Sequence, residues 1–417
     1  MVWIDRHAED ELPRRMRTAR AVVVNGPRQA GKSALLRRIA GAHADDAYLT
    51  LDDRTQLRAA RVDPVGFLAE RPRPLFVDEF QRGGDGLLLA AKSTLDRSDE
   101  RGQLVLAGST RFLTEPRLSE SLAGRVRFLD LWPLSQGEIH GGDDGMLDAL
   151  LAGVGAVRDR RADRMSRSDV AARIATGGFP EAVLLDEERD RREFFDAYVR
   201  TVTQRDVPDL AAVRQPAELD HLWRLLAART SAELVPASIA RTSGLANTTV
   251  RRYLPLLEAV FAFHEISPFT ANLSARTSGR TKAHLTDTGV ATHLLRETAA
   301  RLSDVTNPAL GPLLETFVVN ELARQRTWSD QVVDLHHLRV HSGVEVDLVV
   351  IGEGGRIAGV EVKATASPAP DDARGLRWLA ERAGDRWVQG VVVCLVERPV
   401  PLSADVTAVP VAATWSS

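Results

Sequence analysis

The sequence predicts an α/β chain with three parts. A parallel-sheet domain comes first, then a helical middle ending in a helix-turn-helix with a wing strand, then an α+β region. Three stretches carry this prediction. AVVVNGPRQAGKSALLRRIA (21–40) reads as a buried strand, a glycine-containing loop and a helix. PASIARTSG and NTTVRRYLPLLEAV (236–260) read as two helices about a tight turn at Gly244. HSGVEVDLVVIG and RIAGVEVKAT (341–365) read as the two strands of a hairpin, with its turn at 352–355. The boundaries that follow are 1–160 for the first domain, 161–217 for a helical lid or connector, 218–270 for the winged helix-turn-helix and 271–417 for the last domain.

At 417 residues, with 44% hydrophobic and 27% charged side chains, the chain has the composition of globular protein and the length of two to four units. Its one cysteine, Cys394, lies in the apolar run GVVVCLV, so no disulfide can form within a single chain. The first residues, MVWIDRHAEDELPRR, hold no apolar signal core, and no run approaches a membrane span. A cytoplasmic protein without a membrane partner is the expectation. A net charge of −3 excludes a globally basic nucleic-acid coat, though not local patches. The clearest patch, VRDRRADRMSRSDVAARIA (157–175), alternates arginine with aspartate and reads as a solvated face.

Lysine is scarce: of 54 basic residues only Lys32, Lys92, Lys282 and Lys363 are lysine. An ammonium is a compact charge with rotatable donors, which a guanidinium fork does not replace everywhere; Lys92, in the helical stretch GLLLAAKSTLDR, reads as a solvent-facing or packing lysine. Lys32 belongs to Gly26-Pro27-Arg28-Gln29-Ala30-Gly31-Lys32-Ser33, which matches the phosphate-loop pattern G-x-x-x-x-G-K-[ST] between strand and helix. The glycines let backbone N–H groups turn toward phosphate oxygens, and the helix N-terminus favours the anion. Lys32 would reach the β- and γ-phosphates of ATP, and the Ser33 hydroxyl would ligate Mg²⁺.

An acidic strand end should follow, and RPLFVDEF (73–80) supplies it. Leu75, Phe76 and Val77 form the strand, Asp78 would hold Mg²⁺ through water, and Glu79 would polarise the attacking water. GQLVLAGST ends a third strand, where Ser109 or Thr110 could sense the γ-phosphate if the strands run parallel. Arg125, in SESLAGRVRFLDLWPLS, is a candidate charge-stabilising arginine, in cis or across subunits, against the plainer reading of a surface arginine.

These pieces resemble a prokaryotic family of AAA-like P-loop ATPases that end in a domain of unknown function related to restriction-type nucleases. The resemblance rests on GPRQAGKS, LDDRTQLRAARVDPVGFL, LFVDEF, LAGSTRF, SLAGRVRFLDLWPLSQGE, GGFPEAV, YVRTVTQRDV, AHLTDTGVATHLL and the GVEVDLV…GVEVK pair. It implies a P-loop fold, nucleotide chemistry and a restriction-endonuclease-like C-terminal domain.

In the middle region, Asn247 is the expected cap of the second helix, and FAFHEISPF alternates like a wing strand. If this module reads DNA, its second helix would present Thr248, Thr249, Arg251 and Arg252. The same fold serves equally as a protein-contact module.

At the C-terminus, LLETFVVNELARQ is a helix that projects Glu315. Alternation puts Glu361 and Lys363 on one face of the second hairpin strand, and Asp347 lies on the polar face of the first. A Glu, an Asp and an E-x-K pair in this order resemble the PD-(D/E)XK nuclease core. By that resemblance the carboxylates would hold Mg²⁺ and Lys363 would position water; alternating charge on an exposed hairpin face would look the same. Lys282 opens KAHLTDTGV, a strand-like step into this region. Three functions stay open: an ATP-hydrolysing regulator that moves the C-terminal modules, an ATP-gated Mg²⁺-dependent DNA nuclease, and a nucleotide-switched interaction scaffold. DNA, a protein partner and a second copy of the chain are the open partners.

Overall fold

The computed structural model describes residues 3–43, 46–69, 71–109, 122, 124–211, 215–270, 279–340 and 343–416. Residue contacts divide the chain into two compact units, Met1–Pro133 with Ala259–Phe261, and Leu134–Glu258 with Ala262–Ser417.

The first unit is built on a parallel five-stranded sheet of β1 (Ala21–Asn25), β2 (Tyr48–Thr50), β3 (Leu75–Asp78), β4 (Leu104–Gly108) and β5 (Val126–Asp130), in the order β2-β3-β4-β1-β5. Alternate residues of each strand feed opposite faces. Ala21, Val23, Leu75, Val77, Leu104 and Leu106 join one core cluster, beneath helices Arg54–Val62, Pro64–Ala69 and Gly84–Arg97. Val22, Val24, Phe76, Val105, Ala107 and Leu129 join the other, beneath helices Ala8–Met16 and Lys32–Ala40. Burial on both faces is why these strands read as continuous apolar runs rather than alternating ones. Each fully buried Leu or Val contributes about 1.5–3 kcal/mol. All five strands point their carboxyl ends the same way, so the loops after β1, β3 and β4 gather at one rim.

The second unit holds a nine-stranded mixed sheet in the order β13-β14-β12-β11-β10-β9-β7-β8-β6. Its strands are β6 (Ala232–Glu233), β7 (Phe263–Pro268), β8 (Lys282–Leu285), β9 (Asp334–Arg339), β10 (Glu345–Ile351), β11 (Ile357–Lys363), β12 (Trp387–Cys394), β13 (Val400–Pro401) and β14 (Val406–Pro410). The hairpin is β10 with β11, antiparallel from Leu348–Val360 to Ile351–Ile357, and Gly354 and Gly355 take positive φ in its turn. Helices Pro236–Ser243 and Asn247–Ala259 flank Gly244 at φ 72°. The carbonyl of Ala246 accepts the first bonds of the second helix, so Asn247 is its first residue and not its cap.

Two features of the expected boundaries differ in the structure. β7 pairs antiparallel with β8 and parallel with β9, so one sheet runs across position 270 with no break between modules. Residues 134–160 belong to the second unit. The reason is the helix Leu310–Gln325, which is buried along nearly its whole length and bonds to that segment. Glu321 accepts from the Gln136 N–H at 2.9 Å and Gln325 from the Leu147 N–H at 2.8 Å, while Arg158 reaches Thr407 and Arg160 the Ala413 carbonyl. Buried polar groups must be paired, and these pairings tie 134–160 to the C-terminal core. No helix among the described residues is long and apolar enough to cross a membrane.

Candidate functional site

The loop after β1 turns sharply. A Cβ on Gly26 would lie 2.1 Å from the Leu131 carbonyl oxygen, so only glycine lets the backbone pass. Gly31, at φ 98°, opens the helix Lys32–Ala40 from a left-handed conformation that glycine adopts without strain. Gln29 also has positive φ, between Pro27-Arg28 and Ala30. Arg6 braces the loop from outside, donating to the Ala30 carbonyl at 3.0 Å and the Trp132 carbonyl at 2.7 Å. Lys32 is buried, and its ammonium donates to the carbonyls of Gly26 at 2.8 Å and Pro27 at 2.7 Å. Ser33 follows in the first helical turn.

Asp78 closes β3 and is 2% exposed. Its Oδ2 accepts from the Tyr48 hydroxyl on neighbouring β2 at 2.9 Å, and its Oδ1 accepts from the Glu79 N–H at 3.0 Å. Burial, with Asp78 beside it, pushes the Tyr48 hydroxyl up to about 12. Glu79 sits at φ 53°, ψ 37°. For a residue with a Cβ this costs on the order of 1–3 kcal/mol, a strain that clusters at working sites. Its Oε2 accepts from the Gln81 amide and, at 3.4 Å, from the Ser109 hydroxyl at the end of β4. Burial raises the Glu79 carboxyl above its ordinary 4.5; Lys32 opposes this and Asp78 adds to it.

Lys32, Asp78, Glu79 and Ser109 therefore meet at one rim of the sheet. Asn25 Oδ1 and Gln81 Oε1 are buried there with no hydrogen-bond partner among the described residues. A glycine-lined loop, an ammonium, a Ser hydroxyl, a buried carboxylate and two unpaired acceptors fit a polyphosphate with hydrated Mg²⁺. Ser33 and Asp78 would hold the ion, which would supply charge neutralisation for the phosphates.

A second charged cluster lies in the other unit. Lys282, 1% exposed, opens β8. Its ammonium bonds Glu315 Oε1 at 2.8 Å, Glu345 Oε1 at 2.7 Å and Asp347 Oδ1 at 3.2 Å. Asp347 Oδ2 accepts from the Val362 N–H at 2.9 Å, and Lys363 pairs with Glu361 Oε1 at 2.6 Å. Burial, then Asp347, raises both Glu315 and Glu361 to about 8, against the pull of Lys282 and Lys363 respectively. Burial alone would pull the Lys282 ammonium toward the neutral amine. Asp347, Glu315 and Glu345 more than reverse that, and hold its proton above the ordinary lysine range.

Residues 18–140 match the family model of an AAA domain. Residues 310–414 match a domain of unknown function, DUF4143, and residues 167–301 match another, DUF8612. Matches to an AAA domain and to DUF4143 in one chain are consistent with the AAA-like P-loop ATPases that its motifs resemble. An uncharacterized protein of Mycobacterium tuberculosis is 29% identical over 406 residues, spanning 97% of this chain and 83% of its own length. An uncharacterized protein of Methanocaldococcus jannaschii is 22% identical over 347 residues, 79% of this chain and 72% of its own. In three dimensions the chain is similar to a Walker-type ATPase of Pyrococcus abyssi, with TM-score 0.41, 16% identity, and 70% and 96% of the two chains covered. It is also similar to the RuvB Holliday junction branch migration motor of Thermotoga maritima, with TM-score 0.30, 16% identity, and 67% and 92% covered.

Within the first unit, Arg125 is not beside the phosphate loop. It precedes β5, whose first residue pairs with Ala21, whereas the loop follows Asn25 at the far end of β1. Five strand residues lie between the two, so they are about 20 Å apart along the sheet. Arg125 bonds Asp96 there, and this bond holds the Asp96 carboxyl below its ordinary range. That placement excludes a role in cis and leaves the plainer reading of a surface arginine beside a role across subunits. Thr110 lies outside the described residues. Tyr48, Gln81 and Arg6 join the site without having been singled out in the sequence. Tyr48 and Gln81 lie outside any motif, and Arg6 lies 20 residues before the loop it braces.

In the DUF4143 region, Glu315, Asp347, Glu361 and Lys363 come together as two linked groups, with Lys282 and Glu345 as members the sequence did not assign. In the helix Asn247–Ala259, Thr248, Arg251 and Arg252 are exposed and Thr249 is half-buried, while Val250, Tyr253 and Leu257 face the core. Arg252 also lies over the Tyr253 ring, 4.8 Å from its centre.

Proposed function

We propose that the chain is a Mg²⁺-dependent ATPase acting as a nucleotide-controlled switch on its C-terminal region. The observation that carries this reading is the meeting of Lys32, Asp78, Glu79 and Ser109 at the carboxyl ends of three parallel strands. Gly26 to Ser33 cradle the phosphates, Lys32 neutralises the β- and γ-oxygens, and Ser33 and Asp78 hold Mg²⁺. Glu79 orients and deprotonates the attacking water, and Ser109 fixes the Glu79 carboxylate. A raised pKa suits Glu79 to that role, because a base works best when its pKa approaches the working pH. Arg125 serves, in this reading, a neighbouring copy of the chain. The test is phosphate release from ATP by the purified full-length chain, with Mg²⁺ and with EDTA in its place. Turnover that needs Mg²⁺ is expected. Neither turnover nor ATP binding in either condition would refute the proposal.

A second reading concerns DNA, and the outward polar face of helix Asn247–Ala259 favours it. Thr248, Arg251 and Arg252 are exposed, Arg252 with its guanidinium over the Tyr253 ring, so the helix can meet a phosphate backbone without refolding. Changing Arg251 and Arg252 together to Ala is expected to weaken duplex binding and to flatten its salt dependence, by a log–log slope of roughly two if both meet phosphate. Fluorescence anisotropy on labelled duplex across a salt series measures this. An unchanged slope, or no binding by the wild type, favours the interaction-scaffold function.

A further inference from the structure

A carboxylate cluster at the head of a hairpin, followed by an E-x-K pair, suggests a divalent metal. The residues present do not fit one. Glu315 reaches in from the helix Leu310–Gln325, and Glu345 and Asp347 reach in from alternate positions of β10. All three aim one oxygen at a single point, and that point is the Lys282 nitrogen. The distances, 2.7–3.2 Å, are those of charge-assisted hydrogen bonds, longer than the roughly 2.0–2.6 Å of Mg²⁺ or Ca²⁺ coordination. An ammonium has three N–H donors and no acceptor, so three carboxylate oxygens saturate it.

The remaining oxygen of Asp347 is taken by the Val362 N–H. Glu361 gives Oε1 to Lys363, and its Oε2 is buried without a partner among the described residues. One oxygen does not make a metal site. Among the described residues, no group of three or more His, Cys, Asp or Glu side chains is arranged to hold a metal ion. Nor can Lys282 easily step aside, since its side chain is 1% exposed and rises from a strand paired on both edges. Swinging it out would leave the carboxylates buried without their counter-charge, which costs several kcal/mol.

We propose that Lys282 is a resident cation standing where a divalent metal would stand, so that this pocket binds neither Mg²⁺ nor Mn²⁺ and does not cleave DNA. The fold keeps the charge pattern of a metal-dependent site, and a covalently attached +1 charge replaces the ion. This geometry also accounts for the scarce lysine at 282, because three oxygens arriving from different directions need a rotatable donor, not a planar fork.

The test is Mn²⁺ binding to the full-length chain without nucleotide, followed by loss of the free Mn²⁺ electron paramagnetic resonance signal. Wild type is compared with Asp347→Asn, Lys282→Met and the double variant, so that any Mn²⁺ held at Asp78 appears equally in all four. The wild-type and Asp347→Asn isotherms should superimpose. Lys282→Met should gain one Mn²⁺ per chain, and the double variant should lose it again. A wild-type stoichiometry that falls by one in Asp347→Asn overturns the proposal, as does a folded Lys282→Met that gains no site. Should Lys282→Met fail to fold, the wild-type and Asp347→Asn pair still decides. Metal-dependent nicking of plasmid DNA by the wild type, abolished by Asp347→Asn, would overturn it as well.

Discussion

Replacing Lys32 with alanine is expected to remove ATP turnover, a loss of at least about a hundredfold, the scale seen when a single transition-state charge partner is deleted. Two effects combine. The ammonium that would meet the β- and γ-phosphate oxygens is gone, and negative charge that builds on the transferred phosphoryl group loses its nearest cation. The loop itself also loosens, because the Gly26 and Pro27 carbonyls lose the donor that now holds them at 2.8 and 2.7 Å. Lys32→Arg is the sharper control. It keeps the charge, but a planar fork cannot occupy the buried position of the ammonium, so turnover should remain low. Phosphate release and binding of a fluorescent ATP analogue measure both variants, with thermal melting to show that the five-stranded sheet survives. Normal steady-state turnover in Lys32→Ala would sink the site assignment.

The phosphate loop was legible in the sequence because its constraint is local. Gly26 must open the turn, Gly31 must take a left-handed φ, and Lys32 must follow at once, all within eight residues; only the reason for Gly26, the Leu131 carbonyl its backbone passes, comes from elsewhere in the chain. The strands were legible for the same reason, as short apolar runs buried on both faces. Arg125 was not. A small-residue turn before a strand says that an arginine is near a strand end, but which end depends on strand direction and register, which are tertiary facts. Lys282 shows the limit most clearly. The motif that follows it, AHLTDTGVATHLL, names no partner for its charge, and its three partners arrive from 33, 63 and 65 positions away, on a helix and on another strand. Scarcity of lysine marked the residue; only the fold shows what it touches. The boundary expected at 270 failed similarly, since a wing strand and a sheet strand look alike until their pairing is known.

Glu79→Gln is expected to slow hydrolysis by about a hundredfold or more while leaving ATP affinity near that of wild type. The substitution is nearly isosteric, and a glutamine oxygen can still accept from Gln81 and Ser109, so the strained backbone and its contacts should persist. What disappears is the basic carboxylate. The pH profile gives an independent readout with a definite sign. Burial raises the Glu79 pKa above 4.5, and the base acts only when ionised, so wild-type turnover should fall on the acid side at a pH above that ordinary value. Lys32 opposes the shift, so removing its charge should carry the acid limb of any residual activity higher still. In Glu79→Gln that limb should vanish, leaving a low, flat rate. Single-turnover hydrolysis across a pH series, with ATP binding measured in parallel, distinguishes the possibilities. If binding collapses while turnover per bound ATP is unchanged, Glu79 supports the structure or the Mg²⁺ ion instead of activating water.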